Sequence, residues 1–225
     1  DLVAHMVQKP QEKANAIVIL SGSQGIGKDA LLAPIRRAVG EWNCRNISPD
    51  EVLDKNNPWA ACVMLTIDEV RPMNDDHRAT SMYDALKALS VAPPHTIGIK
   101  EKYEKQRWVA NCLRIFATTN DRLAFYIPEE DRRVLMLHSM LPSRWHLKEG
   151  QPNYFRELFR WMYAGGEEAV SAWLAARDIR NFDPQGVVPR TAAWAGVAER
   201  WKAPDDELTQ ALELLAWPEV LFAAE

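Results

Sequence analysis

Ala16-Ile17-Val18-Ile19-Leu20-Ser21-Gly22-Ser23-Gln24-Gly25-Ile26-Gly27-Lys28-Asp29 is the stretch that decides the fold. Residues 16–20 are an apolar run and the strand 16–21 shows no alternation, which predicts a central parallel strand covered on both faces. The amphipathic run from Ala30 to Val39 predicts a helix, with Gly40 placed to cap its end and Pro34 near or just beyond the first turn. Strand, glycine loop and helix in that order form the context that a phosphate-binding loop requires. Glycines at 22, 25 and 27 let the backbone turn tightly and turn its N–H groups toward a polyphosphate, and the helix adds the positive end of its dipole. Lys28 would reach the β- and γ-phosphates as a point charge. The position after the lysine is usually Ser or Thr, whose hydroxyl binds Mg²⁺. Here it is Asp29, a hard oxygen ligand that could hold the ion directly or through water but adds negative charge beside the phosphates. The same residues also suit a plain glycine turn.

Working outward, 225 residues with 47% hydrophobic and 26% charged content suit one large domain, or one domain with a small appendage, able to bury a substantial core. No run of about 18 apolar residues exists and no signal-peptide pattern opens the chain, so neither a membrane nor export is expected. A first residue of Asp1, not Met, reads as a piece of something longer. The net charge of −4 argues against a surface basic throughout, so any nucleic-acid contact is confined to a patch or pore. Cys44, Cys62 and Cys112 are odd in number and scattered, which makes a disulfide framework unexpected and a reducing cytoplasm the default. Cys62 and Cys112 lie in apolar runs and read as small core residues, and no zinc-ligand spacing is present.

Residues 1–15 read as the tail of a preceding segment. Ser48-Pro49-Asp50-Glu51 reads as a capped helix start. A second apolar run, Ala60 to Ile67, ends in Asp68-Glu69. A buried strand finishing in two carboxylates delivers both to the crevice where open α/β sheets bind ligands: Asp68 to hold Mg²⁺, Glu69 to polarise water. A solvated strand end is the plainer alternative. Residues 75–90 predict a helix with Met82, Leu86 and Leu89 on one face, stopped by Pro93-Pro94. Residues 96–100 and 107–110 flank a charged tip and predict a β-hairpin carrying Lys100, Lys102, Lys105 and Arg107, with Tyr103 available for base stacking. Such tips are often merely solvated, and Glu101 and Glu104 cancel part of the charge. Residues 113–120 predict a third buried strand that ends in polar groups at the same edge of the sheet, with Asn120 a candidate for orienting water or an ordinary turn residue. Arg132-Arg133 directly precede another apolar strand, placed either to neutralise a transferring phosphoryl group or to pair with Glu129, Glu130 and Asp131.

Glycine loop with Lys28, strand with Asp68-Glu69, lysine-bearing hairpin, strand with Asn120, then Arg132-Arg133: in this order the motifs resemble superfamily 3 helicases, the AAA+ ATPases of small-virus replication proteins and of phage and plasmid primase-helicases. The nearest resemblance is to primase-helicase-related proteins of phages and integrated elements, whose loops also read Gly-Lys-Asp or similar. It covers residues 15–140 and extends weakly over 175–191. It implies an α/β fold, an AAA+-like ATPase core with a central, mainly parallel sheet over 1–145, and a small helical C-terminal region over 146–225. It also implies ATP and Mg²⁺ as cofactors, with Walker A at Gly22, Ser23, Gln24, Gly25, Ile26, Gly27, Lys28 and Asp29, and Walker B at Asp68 and Glu69. Asn120 would be sensor 1, and Arg132 or Arg133 a finger acting on the neighbouring subunit's nucleotide. Lysines of the hairpin would face single-stranded DNA in the channel of a hexameric ring in the bacterial host cytoplasm, with an upstream primase-polymerase domain a frequent companion.

Within 146–225, Gly165-Gly166 predicts a helix stop, Val170, Trp173 and Leu174 an inward face, and Trp194, Trp201 and Trp217 packing positions. The leading expectation is an ATP-driven DNA translocase of phage or mobile-element replication. A small-molecule P-loop kinase and a nucleotide-gated assembly module without turnover are the alternatives.

Overall fold

The structure, a computed structural model, describes residues 1–72, 76–91 and 94–201. Asp75, Pro93 and the stretch containing Trp217 lie outside the described residues. In chain order the elements are α1 (Leu2–Gln8), β1 (Ile17–Gly22), α2 (Lys28–Val39), β2 (Cys44–Ile47), α3 (Pro49–Val52), β3 (Met64–Val70), α4 (Asp76–Ser90), β4 (Thr96–Ile99), β5 (Arg107–Ala110), β6 (Arg114–Thr119), β7 (Val134–Ser139), α5 (Trp145–Lys148), α6 (Tyr154–Trp161), α7 (Glu167–Ala176) and α8 (Ala192–Arg200).

Five strands form a parallel sheet in the order β2-β3-β6-β1-β7, and β4 pairs with β5 as a separate antiparallel hairpin. The expected α/β architecture with a central parallel sheet is the observed one. All six residues of β1 and all six of β6 are buried, which explains why neither strand alternates apolar with exposed polar residues; the polar Ser21, Arg114, Thr118 and Thr119 are buried with the rest. Successive side chains still alternate between two cores. Ile17, Ile19, Ile115 and Ala117 join one core, while Val18, Leu20 and Phe116 join the other. The first core is covered by Met82, Tyr83 and Leu86 of α4, Ile97 and Ile99 of the hairpin, and Trp194 and Val197 of α8. The second is covered by Met6 of α1 and Leu32 of α2.

Three sequence readings need correction, and one strand went unread. Residues 1–15 are not a loose tail: α1 buries Ala4, His5 and Met6. The turn after α1 wraps the guanidinium of Arg114, which is 1% exposed and donates to the carbonyl oxygens of Pro10 (2.6 Å), Cys112 (2.7 Å), Lys9 (3.1 Å) and Glu12. Hydrogen bonds from a charged donor contribute about 1.5–3 kcal/mol each, and several are needed to offset the desolvation of a buried cation. Residues 44–47 form the edge strand β2, hidden in the sequence because only its two end residues are buried. The capping box at Ser48 and Glu51 is present directly after it. The buried cysteine is Cys44, whereas Cys62 and Cys112 are half-buried. In α7 only Leu174 is buried; Trp173 is exposed and carries Arg177 over its ring at 5.1 Å. The helix stop at Gly165-Gly166 is real, with Gly165 at φ +104°.

Lys13 is buried beside Arg114 and donates to the carbonyl of Leu113. Burial, aided by the Arg114 charge, brings its pKa down to about 7. Between pH 7 and 8.5 the unfolded chain keeps this lysine protonated while the folded chain releases the proton, so stability rises with pH in that window. The slope is at most about 1.4 kcal/mol per pH unit. Urea unfolding at pH 7 and 8.5 should show the rise in the wild type and its loss in Lys13→Met; an unchanged slope in the variant refutes this account.

Candidate functional site

The strand register levels the carboxyl ends of three strands. Ser21 of β1 lies opposite Thr119 of β6, and Thr119 lies opposite Val70 of β3. Whatever follows β1 and β6, and whatever closes β3, therefore meets at one edge of the sheet, where parallel sheets hold ligands.

After β1 the chain turns through Gly25 at φ +75° and Gly27 at φ +95°, left-handed conformations in which a side chain is strained. Gly27 caps α2, and its carbonyl accepts the first intrahelical bond from Leu31 at 3.0 Å. The helix therefore begins at Lys28, with its free N–H groups at the sheet edge. A Cβ on Gly27 would lie 2.9 Å from the Phe155 ring, so the missing side chain also allows an aromatic to sit against the loop.

The Lys28 ammonium donates to the carbonyls of Gly22 (2.7 Å) and Ser23 (3.2 Å) and to Oδ1 of Asn120 (2.7 Å). All three of its protons are engaged. Burial lowers its pKa, and the charges of Asp29 and Glu69 oppose that shift. Asn120 thus stands in direct contact with the loop lysine 92 residues away.

At the end of β3 the pairing with β6 shifts between Ile67 and Val70, which releases Asp68 and Glu69 from the ladder. Glu69 takes φ +52°, uncommon for a non-glycine residue. The bulge is pinned from β6: the Glu69 N–H donates to Thr118 Oγ1 at 3.2 Å, and the Thr119 hydroxyl donates to the Val70 carbonyl at 2.6 Å. Asn46 of β2 donates to the Asp68 carboxylate, and Arg71 lies 3.7 Å from that of Glu69.

One cleft of about 630 Å³ is lined by Gln24, Gly25, Gly27, Lys28, Asp29, Asp68, Glu69 and Asn120, so the glycine loop, both acidic residues and the asparagine share a single space. Asp29 and Asp68 together offer two hard oxygen donors, a set that fits Mg²⁺, which keeps waters and substrate oxygens as its other ligands. The same cleft is lined by Arg144, His146, Phe155 and Phe159, none of which the sequence singled out. A second, more apolar slot of about 530 Å³ lies on the other side of Gly27, between Leu31 and Pro34 of α2, Leu137 of β7, and Leu158 and Trp161 of α6. Its polar groups include Ser21 and His138, in contact at 3.1 Å. Burial, with the Arg122 charge, lowers the pKa of His138. Phe155 and Gly27 line both spaces. No residue of α6 is buried, because its apolar side borders open clefts.

Other candidates lie elsewhere. Arg132 and Arg133 precede Val134, which pairs with Ile17 at the opposite end of β1 from the glycine loop, about 16 Å of strand away. Arg132 is exposed and Arg133 half-buried. Asp131 accepts from the Tyr83 hydroxyl (2.7 Å) and from the backbone N–H groups of Arg133 (2.8 Å) and Val134 (2.7 Å). Lys100, Lys102, Lys105 and Arg107 are exposed on and beside the hairpin tip, with Arg107 paired to Glu101 at 2.8 Å. An exposed pair of this kind contributes little.

Three structures of the NrS-1 C-terminal region match this chain, with TM-scores of 0.76, 0.74 and 0.70 at 18%, 18% and 19% identity. Each covers 94% of this chain, while the chain spans about half (48%) of their length. Identity at that level shows a shared fold. No curated protein matches the sequence. Residues 20–133 match the family of unknown function DUF5906, over a segment that runs from the end of β1 to Arg133 and includes the glycine loop, the acidic pair, the hairpin and Asn120. Because that match spans half of the chain and holds every residue proposed from the sequence, this protein belongs to the DUF5906 family.

Proposed function

We propose that this chain is the ATPase module of a ring-forming nucleic-acid translocase, a helicase of phage or mobile-element replication. The observation that supports this reading is the meeting of Lys28, Asp29, Asp68, Glu69 and Asn120 in one cleft at the carboxyl edge of a parallel sheet. The phosphates of ATP would lie along the glycine loop, and its base would cross Gly27 into the apolar slot beside α6. Asp29 and Asp68 would hold Mg²⁺, which supplies positive charge against the phosphates. Lys28 would exchange neutral acceptors, Asn120 among them, for a phosphate oxygen, a stronger charge-assisted bond. The freed Asn120 amide and the Glu69 carboxylate would then align the attacking water, Glu69 as its base.

Arg132 and Arg133, far from the cleft of their own chain, would serve a neighbour's site across a ring interface. A hexamer, a single strand of DNA against the hairpin lysines and an upstream primase-polymerase domain belong to the same proposal. So does a location in the bacterial host cytoplasm.

ATP hydrolysis with and without single-stranded DNA, run beside a size measurement, tests the proposal. Turnover stimulated by DNA in a ring-sized species is the expected result. Binding without turnover in such a species would replace it with an assembly module. Lys28→Ala should abolish turnover, and Glu69→Gln should bind ATP normally while turnover falls by about 10²-fold or more. Filling the slot with Leu158→Arg should weaken ATP binding by at least about tenfold while leaving inorganic tripolyphosphate unaffected. Equal loss of both ligands would place the base elsewhere.

A further inference from the structure

The β4–β5 hairpin carries an aromatic residue that the nucleotide site does not use. In its register Ile97 faces Val109 and Ile99 faces Arg107, while Thr96 faces Ala110 and Gly98 faces Trp108. Ile97 and Ile99 enter the core. Alternation then puts Thr96, Gly98, Trp108 and Ala110 on the outer face, where Trp108 is 68% exposed. Its indole edge lies 3.5 Å from where a Gly98 Cβ would stand, and the Gln106 side-chain amide lies nearer still, so ring and amide sit side by side over the glycine. Among the described residues no ring or cation covers that indole, in contrast to Trp173 under Arg177. A single exposed ring is ordinary on a protein surface, and Trp42 is 79% exposed; Trp108 is set apart by its place on a ribbon whose tip is rich in cations.

Both ends of the ribbon are clamped. The Asn57 side chain donates to the Gly98 carbonyl (3.0 Å) and accepts from the Lys100 N–H (2.7 Å), and its backbone N–H donates to the Lys100 carbonyl (3.0 Å). Asn111 donates from its backbone to His95 (2.8 Å) and from its side chain to Leu89 and Val91 (both 3.3 Å). The indole is therefore presented on a fixed platform. Residues 100–107 carry four cationic and two anionic side chains in a chain whose net charge is −4, so positive charge is concentrated beside the ring. Tyr103 is 93% exposed at the tip with Lys102 at 5.0 Å from its ring.

We propose that Trp108 is a base-stacking platform for single-stranded nucleic acid, with Lys100, Lys102 and Lys105 holding the phosphates on either side, an inference that rests on the nucleic-acid reading above. An exposed aromatic flanked by cations fits an anionic polymer of planar bases, which offers a ring to stack on the indole and phosphates for the lysines.

The test is anisotropy titration of the full chain with a labelled 20-nucleotide oligo(dT) and with an abasic strand of the same length. Trp108→Ala should weaken oligo(dT) binding by about 5- to 100-fold and Trp108→Phe should restore most of it, with both variants matching the wild type on the abasic strand. Lys102→Ala/Lys105→Ala should weaken both strands alike. Circular dichroism checks folding, which an exposed substitution should spare. If the lysine pair weakens binding and Trp108→Ala does not, the platform is wrong and the nucleic-acid reading stands. If the wild type binds neither strand, both fall. A change in sedimentation size with unaltered oligonucleotide affinity would make this face a subunit contact and overturn the platform.

Discussion

Parallel pairing of β1 with β6, and of β6 with β3, puts three strand ends at one level, and everything at the candidate site depends on it. A two-residue slip of β6 would move Asn120 about 7 Å from Lys28 and break their 2.7 Å contact. The register is held by the alternation of buried side chains, since a one-residue slip exchanges the two cores: Ile115 and Ala117 would trade places with Phe116, which packs against Met6 and Leu32. At the other end of β6 the Arg114 guanidinium, gripped by the carbonyls around the turn after α1, fixes where the strand begins.

On that level edge, the departures from regular structure fall at residues that line the cleft. Gly27 ends the loop in a left-handed conformation and opens α2 at Lys28. Glu69 sits at positive φ in a bulge that Thr118 and Thr119 pin by hydrogen bonds, which turns two successive carboxylates toward the cleft where a regular strand would have sent them to opposite faces. The Asp68 carboxylate is held from β2 by Asn46, so even the edge strand contributes to the site. Lys28 spends its three protons on neutral acceptors, the carbonyls of Gly22 and Ser23 and Oδ1 of Asn120.

Much of this was legible in the chain. The apolar run 16–20 of β1 and the Ile115-Phe116-Ala117 core of β6, each followed by polar groups, announced central parallel strands, and glycine spacing announced the loop. The hairpin showed in two short strand-like runs around a charged tip. Other parts had no local signature. β2 is half-exposed and reads as loop. Arg144, His146, Phe155 and Phe159 lie in a region where nothing in the spacing ties an aromatic to a glycine 128 residues earlier. Trp173 looked inward by helical period, yet the helix is turned so that only Leu174 is covered.

By itself the sequence determined the elements and the chemistry at their ends, because strand periodicity, glycine conformational freedom and the position of a charge after an apolar run are local properties. Only the tertiary structure decided which of those ends meet. Strand order and register are set by packing over the whole sheet, and they bring Lys28, Glu69 and Asn120 into one cleft while leaving Arg132 and Arg133 at the opposite edge. The apolar slot is likewise a product of packing: α6 reaches Gly27 only because the chain folds back after β7, and no pattern in either segment encodes that approach.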